Sequence, residues 1–218
     1  MLFLAYRPSG SREVQDRMKK IALLALLLTV GLVAGRAQES RQDVSLSGSV
    51  QIQPFVASTT DVQVGAKRAI GGLASYRFML TPRGAVEANY GINQNNILYR
   101  GPAFQNGYQV NVRQQEVSAA YVYNFNFKNF NPFVEAGGGA LLWQNIRNLA
   151  TTSLDVKNQT TIGGLYGVGV AYEISPSFDI RLEYRGFVTK VPDFGYSPLN
   201  TNKYYNIYNP VIGVAYHF

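Results

Sequence analysis

From Val44 to Phe218, apolar and polar side chains alternate in about eight stretches. In the first, Val44, Leu46, Gly48, Val50 and Ile52 alternate with Ser45, Ser47, Ser49, Gln51 and Gln53. This two-residue period is that of a strand with one apolar face. It predicts further strands over 72–80 (Ala74, Tyr76, Phe78 and Leu80 apolar), 85–93 (Val86, Ala88, Tyr90, Ile92) and 116–125 (Val117, Ala119, Tyr121, Tyr123, Phe125). The remaining four are 134–143 (Val134, Ala136, Gly138, Ala140, Leu142), 162–174 (Ile162 to Ile174), 178–188 (Phe178, Ile180, Leu182, Tyr184, Val188) and 209–218 (Ile212, Val214, Tyr216, Phe218).

The connections fall into two kinds. Thr81-Pro82-Arg83-Gly84, Lys128-Asn129 and Ser175-Pro176-Ser177 are tight turns. Residues 56–70, 94–112, 143–160 and 189–205 form long loops rich in Tyr, Asn and Gln, a composition suited to surface contacts. Short turns at one end and long loops at the other predict an all-β, about eight-stranded antiparallel up-and-down transmembrane barrel. A motif built around Tyr76, Tyr121, Tyr172 and Tyr216 recurs near the ends of the even strands. Its spacing of roughly 45 residues is that of propeller blades, but each interval holds two strands where a blade needs four.

Which face meets lipid depends on what the other face carries. Opposite the apolar set lie Arg77, Glu87, Glu116, Glu135, Glu173, Asp179, Arg181, Glu183 and Arg185, with Ser, Asn and Gln. On a soluble, lipocalin-like barrel these charges would cover the outside. The apolar faces instead carry Tyr and Phe near the strand ends and small residues between, an aromatic girdle around an apolar band, which turns them to lipid and the charges to the lumen. Confined charges must pair, so the nine are expected to form an ion-pair network that plugs a polar lumen.

Residues 1–37 read as an export signal, with Arg12, Arg17, Lys19 and Lys20 before the apolar run Ile21–Ala34 and cleavage after Ala37. Met18 is an alternative start, and residues 38–218 form the barrel domain. Without the leader, 20 basic and 13 acidic residues become 14 and 11, a net charge of +3 that excludes a nucleic-acid partner. The chain has no Cys, hence no disulfide and no thiolate chemistry, and Arg36 stands where a lipoprotein signal would need Cys. Its one His, His217, cannot supply a nucleophile–base pair near the loop end. The glycines at 137–139, 163, 164, 167 and 169 lie inside strands, where close packing beside large interior side chains accounts for them better than a phosphate loop. No metal-ligand spacing and no cofactor motif is present in the sequence.

The closing stretch Asn209-Pro210-Val211-Ile212-Gly213-Val214-Ala215-Tyr216-His217-Phe218 resembles the last strand of bacterial outer-membrane barrels, although an ordinary edge strand ending on Phe would share it. Residues 44–218 resemble small outer-membrane barrels of the OmpA-like and opacity type, without a peptidoglycan-binding domain. The resemblance implies residence in the bacterial outer membrane, with membrane lipid and the barrel-assembly machinery as partners. Tyr216 and Phe218 are then the insertion signal. The function expected is that of a non-enzymatic integral membrane protein with surface loops for structural or adhesive contacts. A small-solute porin-like channel and a lipid A-modifying enzyme are the alternatives.

Overall fold

The computed structural model describes residues 41–57, 63–66, 68–101, 104–148, 157–195 and 199–218. The expected signal segment, 1–37, lies outside them. The described elements are β1 (Gln42–Gln51), β2 (Val56–Ala57), β3 (Gln63–Ala66), β4 (Ala69–Met79), β5 (Gly84–Gly101), β6 (Phe104–Asn124), β7 (Phe130–Asn148), β8 (Gln159–Ser175), β9 (Phe178–Lys190) and β10 (Tyr204–His217).

Eight of these are long, and each pairs antiparallel with its neighbours in the chain. β5 pairs with both β4 and β6, and β1 pairs with both β4 and β10, which closes the eight long strands into a barrel. Closure pairs the membrane-crossing backbone without water, the requirement for a sheet that crosses lipid. β2 and β3 form a short hairpin added to the upper part of β5.

The alternation expected from the sequence orients the strands. In β1, Ser45, Ser47 and Ser49 are buried inside, while Leu46 on the other face is 73% exposed. Tyr76, Phe78, Tyr121, Phe125, Tyr172 and Phe178 lie on the outer surface near the short turns. Toward the loops, Tyr184 and Tyr208 stack with centroids 5.9 Å apart. Gly186 also faces outward, and the Tyr166 ring lies over it where a side chain would be.

The long loops are shorter than the sequence pattern suggests. Residues 94–112 are mostly strand, because β5 and β6 continue as one ribbon to the Gly101–Phe104 pair. β7 likewise reaches Asn148, inside the stretch expected as loop 143–160.

Candidate functional site: the barrel interior

At the short-turn end, charged residues of β1, β4, β5, β9 and β10 meet inside the barrel. Arg77 and Glu87 are direct cross-strand neighbours, and Arg77 Nη2 lies 2.7 Å from Glu87 Oε2. Arg181 links Asp43 on β1 (2.7 Å) to Glu87 on β5 (3.8 Å). His217 Nε2 lies 2.8 Å from Asp179 Oδ2, so its place at the barrel floor follows from an inward carboxylate. The Arg77 guanidinium also sits 4.7 Å from the Phe133 ring centroid, a cation–π contact that covers its apolar face.

Above this layer, Arg185 faces three carboxylates. Its Nη2 is 2.9 Å from Glu116 Oε1, and its Nε is 3.4 Å from Glu183 and 3.6 Å from Glu135. Ser118 Oγ donates to the same Glu116 oxygen at 2.7 Å. The row is made possible by a glycine: Arg185 pairs with Gly167, which pairs in turn with Glu135, and a Cβ at 167 would stand 2.5 Å from Glu135 Oε1. The long side chains of β7 and β9 therefore meet across the bare backbone of β8.

A third layer is uncharged. Asn95 Nδ2 donates to Gln51 Oε1 (2.9 Å), and Ser49 Oγ donates to Asn93 Oδ1 (3.3 Å). Between this layer and Arg185 lies a cavity of about 10 Å³, lined by Ser49, Asn93, Glu116, Arg185 and Asn209 among others. That is the room of a single water, with polar groups to hold it.

Nearer the loops the interior changes character, and the expectation of a polar lumen throughout is corrected. Ile97, Tyr99, Val110, Val112, Leu141, Trp143, Leu165, Phe187 and Ile207 form one buried apolar cluster. The segment after β9 covers it: Phe194 and Leu199 are fully buried, and Gln159 Oε1 accepts from the backbone N–H groups of Asp193 and Phe194 at 2.9 and 2.7 Å. Tyr99 OH donates to the Pro192 carbonyl at 2.9 Å. The buried Trp143 indole donates to Thr161 Oγ1 at 3.0 Å.

Of the nine charges expected in the lumen, Arg77, Glu87, Glu116, Glu135, Asp179, Arg181, Glu183 and Arg185 are buried there. Glu173 is half-buried beside Asp179 at the short-turn mouth and forms no ion pair with a described residue, because its neighbourhood opens to solvent. Asp43 completes the network and was not among them; its place one residue before Val44, in phase with the serines of β1, is the signal that finds it. Tyr216 lies on the outer side, its ring 5.1 Å from Phe178, and Phe218 follows directly on the last strand residue.

A closed barrel with apolar, aromatic-edged outer faces and paired charges inside is the architecture of an outer-membrane protein. The profile of the outer membrane protein beta-barrel domain matches residues 22–218. The chain belongs to this family, whose members reside in the bacterial outer membrane. Its fold is similar to that of the outer membrane protein OprG from Pseudomonas aeruginosa, with a TM-score of 0.62 at 12% identity over 84% of this chain and 98% of that one. It is also similar to Neisserial surface protein A, with a TM-score of 0.55 at 15% identity over 82% of this chain and 98% of that one. At these identities the likeness is one of fold. No curated protein sequence matches the chain. As in other members of this outer-membrane family, the strands rather than any helix cross the bilayer, and among the described residues no helix is long and apolar enough to do so.

Proposed function

We propose that the protein is a non-enzymatic, non-conducting outer-membrane barrel. Its interior serves as a structural core, and its loop end makes the contacts. The observation that carries this reading is the filling of the interior. Two levels of ion pairs cross it, the cavity between the charged and uncharged layers holds about 10 Å³, and apolar side chains pack above. Side chains nearly fill an eight-stranded barrel in any case, so a hydrated path through this one would require several layers to separate at once.

The alternatives fare less well on the same observations. A small-solute channel needs a continuous wet passage, which the apolar layer around Trp143 opposes. A lipid A-modifying enzyme needs a base near the outer leaflet, whereas the chain's one His is held by Asp179 among the short turns. The reading extends to delivery: residues 1–37 act as a cleaved export signal, and Tyr216 and Phe218 as the signal read by the assembly machinery.

The test is single-channel recording of the purified protein in planar bilayers. The expected result is no steady conductance, with a leak appearing in the Arg181→Ala/Arg185→Ala variant. A large steady conductance in the unmodified protein overturns the reading in favour of the channel.

A further inference from the structure

The described carboxylates are concentrated inside the barrel, where three arginines pair with them. Among the described residues, Asp43, Glu87, Glu116, Glu135, Asp179 and Glu183 are all buried inside. At the loop end one carboxylate is described, Asp193, and its Oδ1 already accepts from the Gly195 N–H at 3.1 Å. Arg68, Arg100 and Arg113 are all exposed there, and none of the three forms an ion pair with a described residue. Among the described residues, the outer surface at this end is therefore cationic.

The ladder places these cations at a boundary. On β5 and β6 the outward residues Tyr90 and Val117 are opposite one another and exposed, as lipid-facing residues are. Two steps further up, Arg113 stands opposite Gln94 on one side and Gln144 on the other, followed by the Asn96–Asn111 pair. The pairs Ala66–Ile97 and Gly71–Asn93 set Arg68 alongside the same stretch of β5, two residues from Ile70, which is 83% exposed. Arg100 lies higher on β5, opposite Gln63 of β3. The face thus passes from bare apolar side chains to amides and guanidiniums within two residues.

We propose that this face of β4, β5 and β6 binds the phosphorylated glycolipid of the outer leaflet. Its acyl chains would lie along Ile70, Tyr90, Ile92 and Val117, and its phosphates would meet Arg68, Arg113 and Arg100. The amides of Gln94 and Asn96 suit sugar hydroxyls. Guanidinium forks match phosphate oxygens in geometry as well as charge, and a lipid ligand satisfies the apolar and cationic halves of the face together. A soluble polyanion would use only the cationic half. The proposal rests on the reading of the loop end as the contact surface; lipid binding and conductance are read separately, so either can fail alone.

The test uses the purified protein in phosphatidylcholine vesicles, alone or doped with diphosphoryl lipid A or with fully dephosphorylated lipid A. The readout is the temperature at which the protein loses its folded, fast-migrating gel form. Diphosphoryl lipid A is expected to raise that temperature, and the dephosphorylated form is not. The Arg68→Gln/Arg100→Gln/Arg113→Gln variant should lose the rise, and free pyrophosphate added to the buffer should not reproduce it. If the triple variant does not fold, Arg113→Gln alone should reduce the rise, and added NaCl should abolish it in the unmodified protein by screening. An equal rise with dephosphorylated lipid, or a rise that survives the substitutions or the salt, overturns the proposal. So does equal protection by soluble heparin, which would make the face a site for aqueous polyanions.

Discussion

Arg185 is the cation on which the middle of the barrel depends. It is 1% exposed, and Glu116, Glu183 and Glu135 all lie within 3.6 Å of it. Arg185→Met keeps most of the volume and removes the charge, leaving three buried carboxylates without their common partner. Breaking a buried pair by removing one member costs about 3–5 kcal/mol, because the remaining charge stays desolvated. With three carboxylates stranded, the upper end of that range, about 5 kcal/mol, is expected. The chain's single tryptophan, Trp143, is fully buried in the apolar layer above. Its fluorescence during urea unfolding in lipid vesicles therefore reports the barrel directly.

The charge origin of the loss has its own control. Adding Glu116→Gln, Glu135→Gln and Glu183→Gln to Arg185→Met removes the stranded charges, and replacing a whole buried ionic group by neutral residues is often close to neutral in stability. The quadruple variant should recover most of what Arg185→Met loses. A loss below about 1 kcal/mol for Arg185→Met, well under the range for a broken buried pair, would refute the reasoning. A quadruple variant no more stable than the single one would assign the loss to packing.

Leu182 faces outward between two inward charges and is 55% exposed. Leu182→Arg should cost about 2–4 kcal/mol in lipid if the site is near the midplane, and Leu182→Cys should resist a water-soluble maleimide in vesicles; a freely reacting thiol would reverse the assigned faces. Deleting Phe218 should lower the amount of folded barrel in the outer membrane at native expression levels, as fractionation and gel migration would show. Unchanged assembly would remove Phe218 from the insertion signal.

Much of this barrel was legible because lipid and lumen impose opposite demands on alternate residues. Val44 and Ser45, Leu182 and Glu183, or Tyr76 and Arg77 each declare a face without help from tertiary structure. The stretch 94–112 did not, for a physical reason: along β5 the apolar set shifts phase. Val86, Tyr90 and Ile92 point outward with Glu87, Asn89 and Asn93 inside, but beyond them Ile97 and Tyr99 are buried inside while Gln94 and Arg100 are exposed. β6 does the same, with Val117 outward below and Val110 and Val112 inward above. A strand that changes phase midway reads as loop to any test that assumes one phase. Glu173 escaped in another way, since alternation assigns a face but not a depth. The partners of Arg181 and Arg185 were out of reach as well, because they come from β1, β5, β6 and β7, whose alignment depends on register around the whole barrel.

The phase shift also fixes where the membrane ends. Below it β5 and β6 carry apolar residues mainly outward and polar ones mainly inward, as a lipid solvent requires; above it Ile97, Tyr99, Val110 and Val112 turn inward while Gln94, Arg100 and Arg113 are exposed, as in water. The apolar cluster around Trp143 is then the small hydrophobic core that a water-exposed extension requires, and its burial stabilises the upper barrel without any ligand. The boundary lies between Ile92 and Gln94 on β5, between Leu142 and Gln144 on β7, and between Val188 and Lys190 on β9. On β9 the outward run Phe178–Val188, at about 3.3 Å per residue and a tilt of about 45°, rises about 23 Å, close to the height of roughly 25 Å of the apolar band in such barrels. Arg113 and Lys190 come directly above that edge, and no described carboxylate shares it. A protein shaped by lipid alone would need only an apolar band there; the cations add a preference for what the headgroups carry.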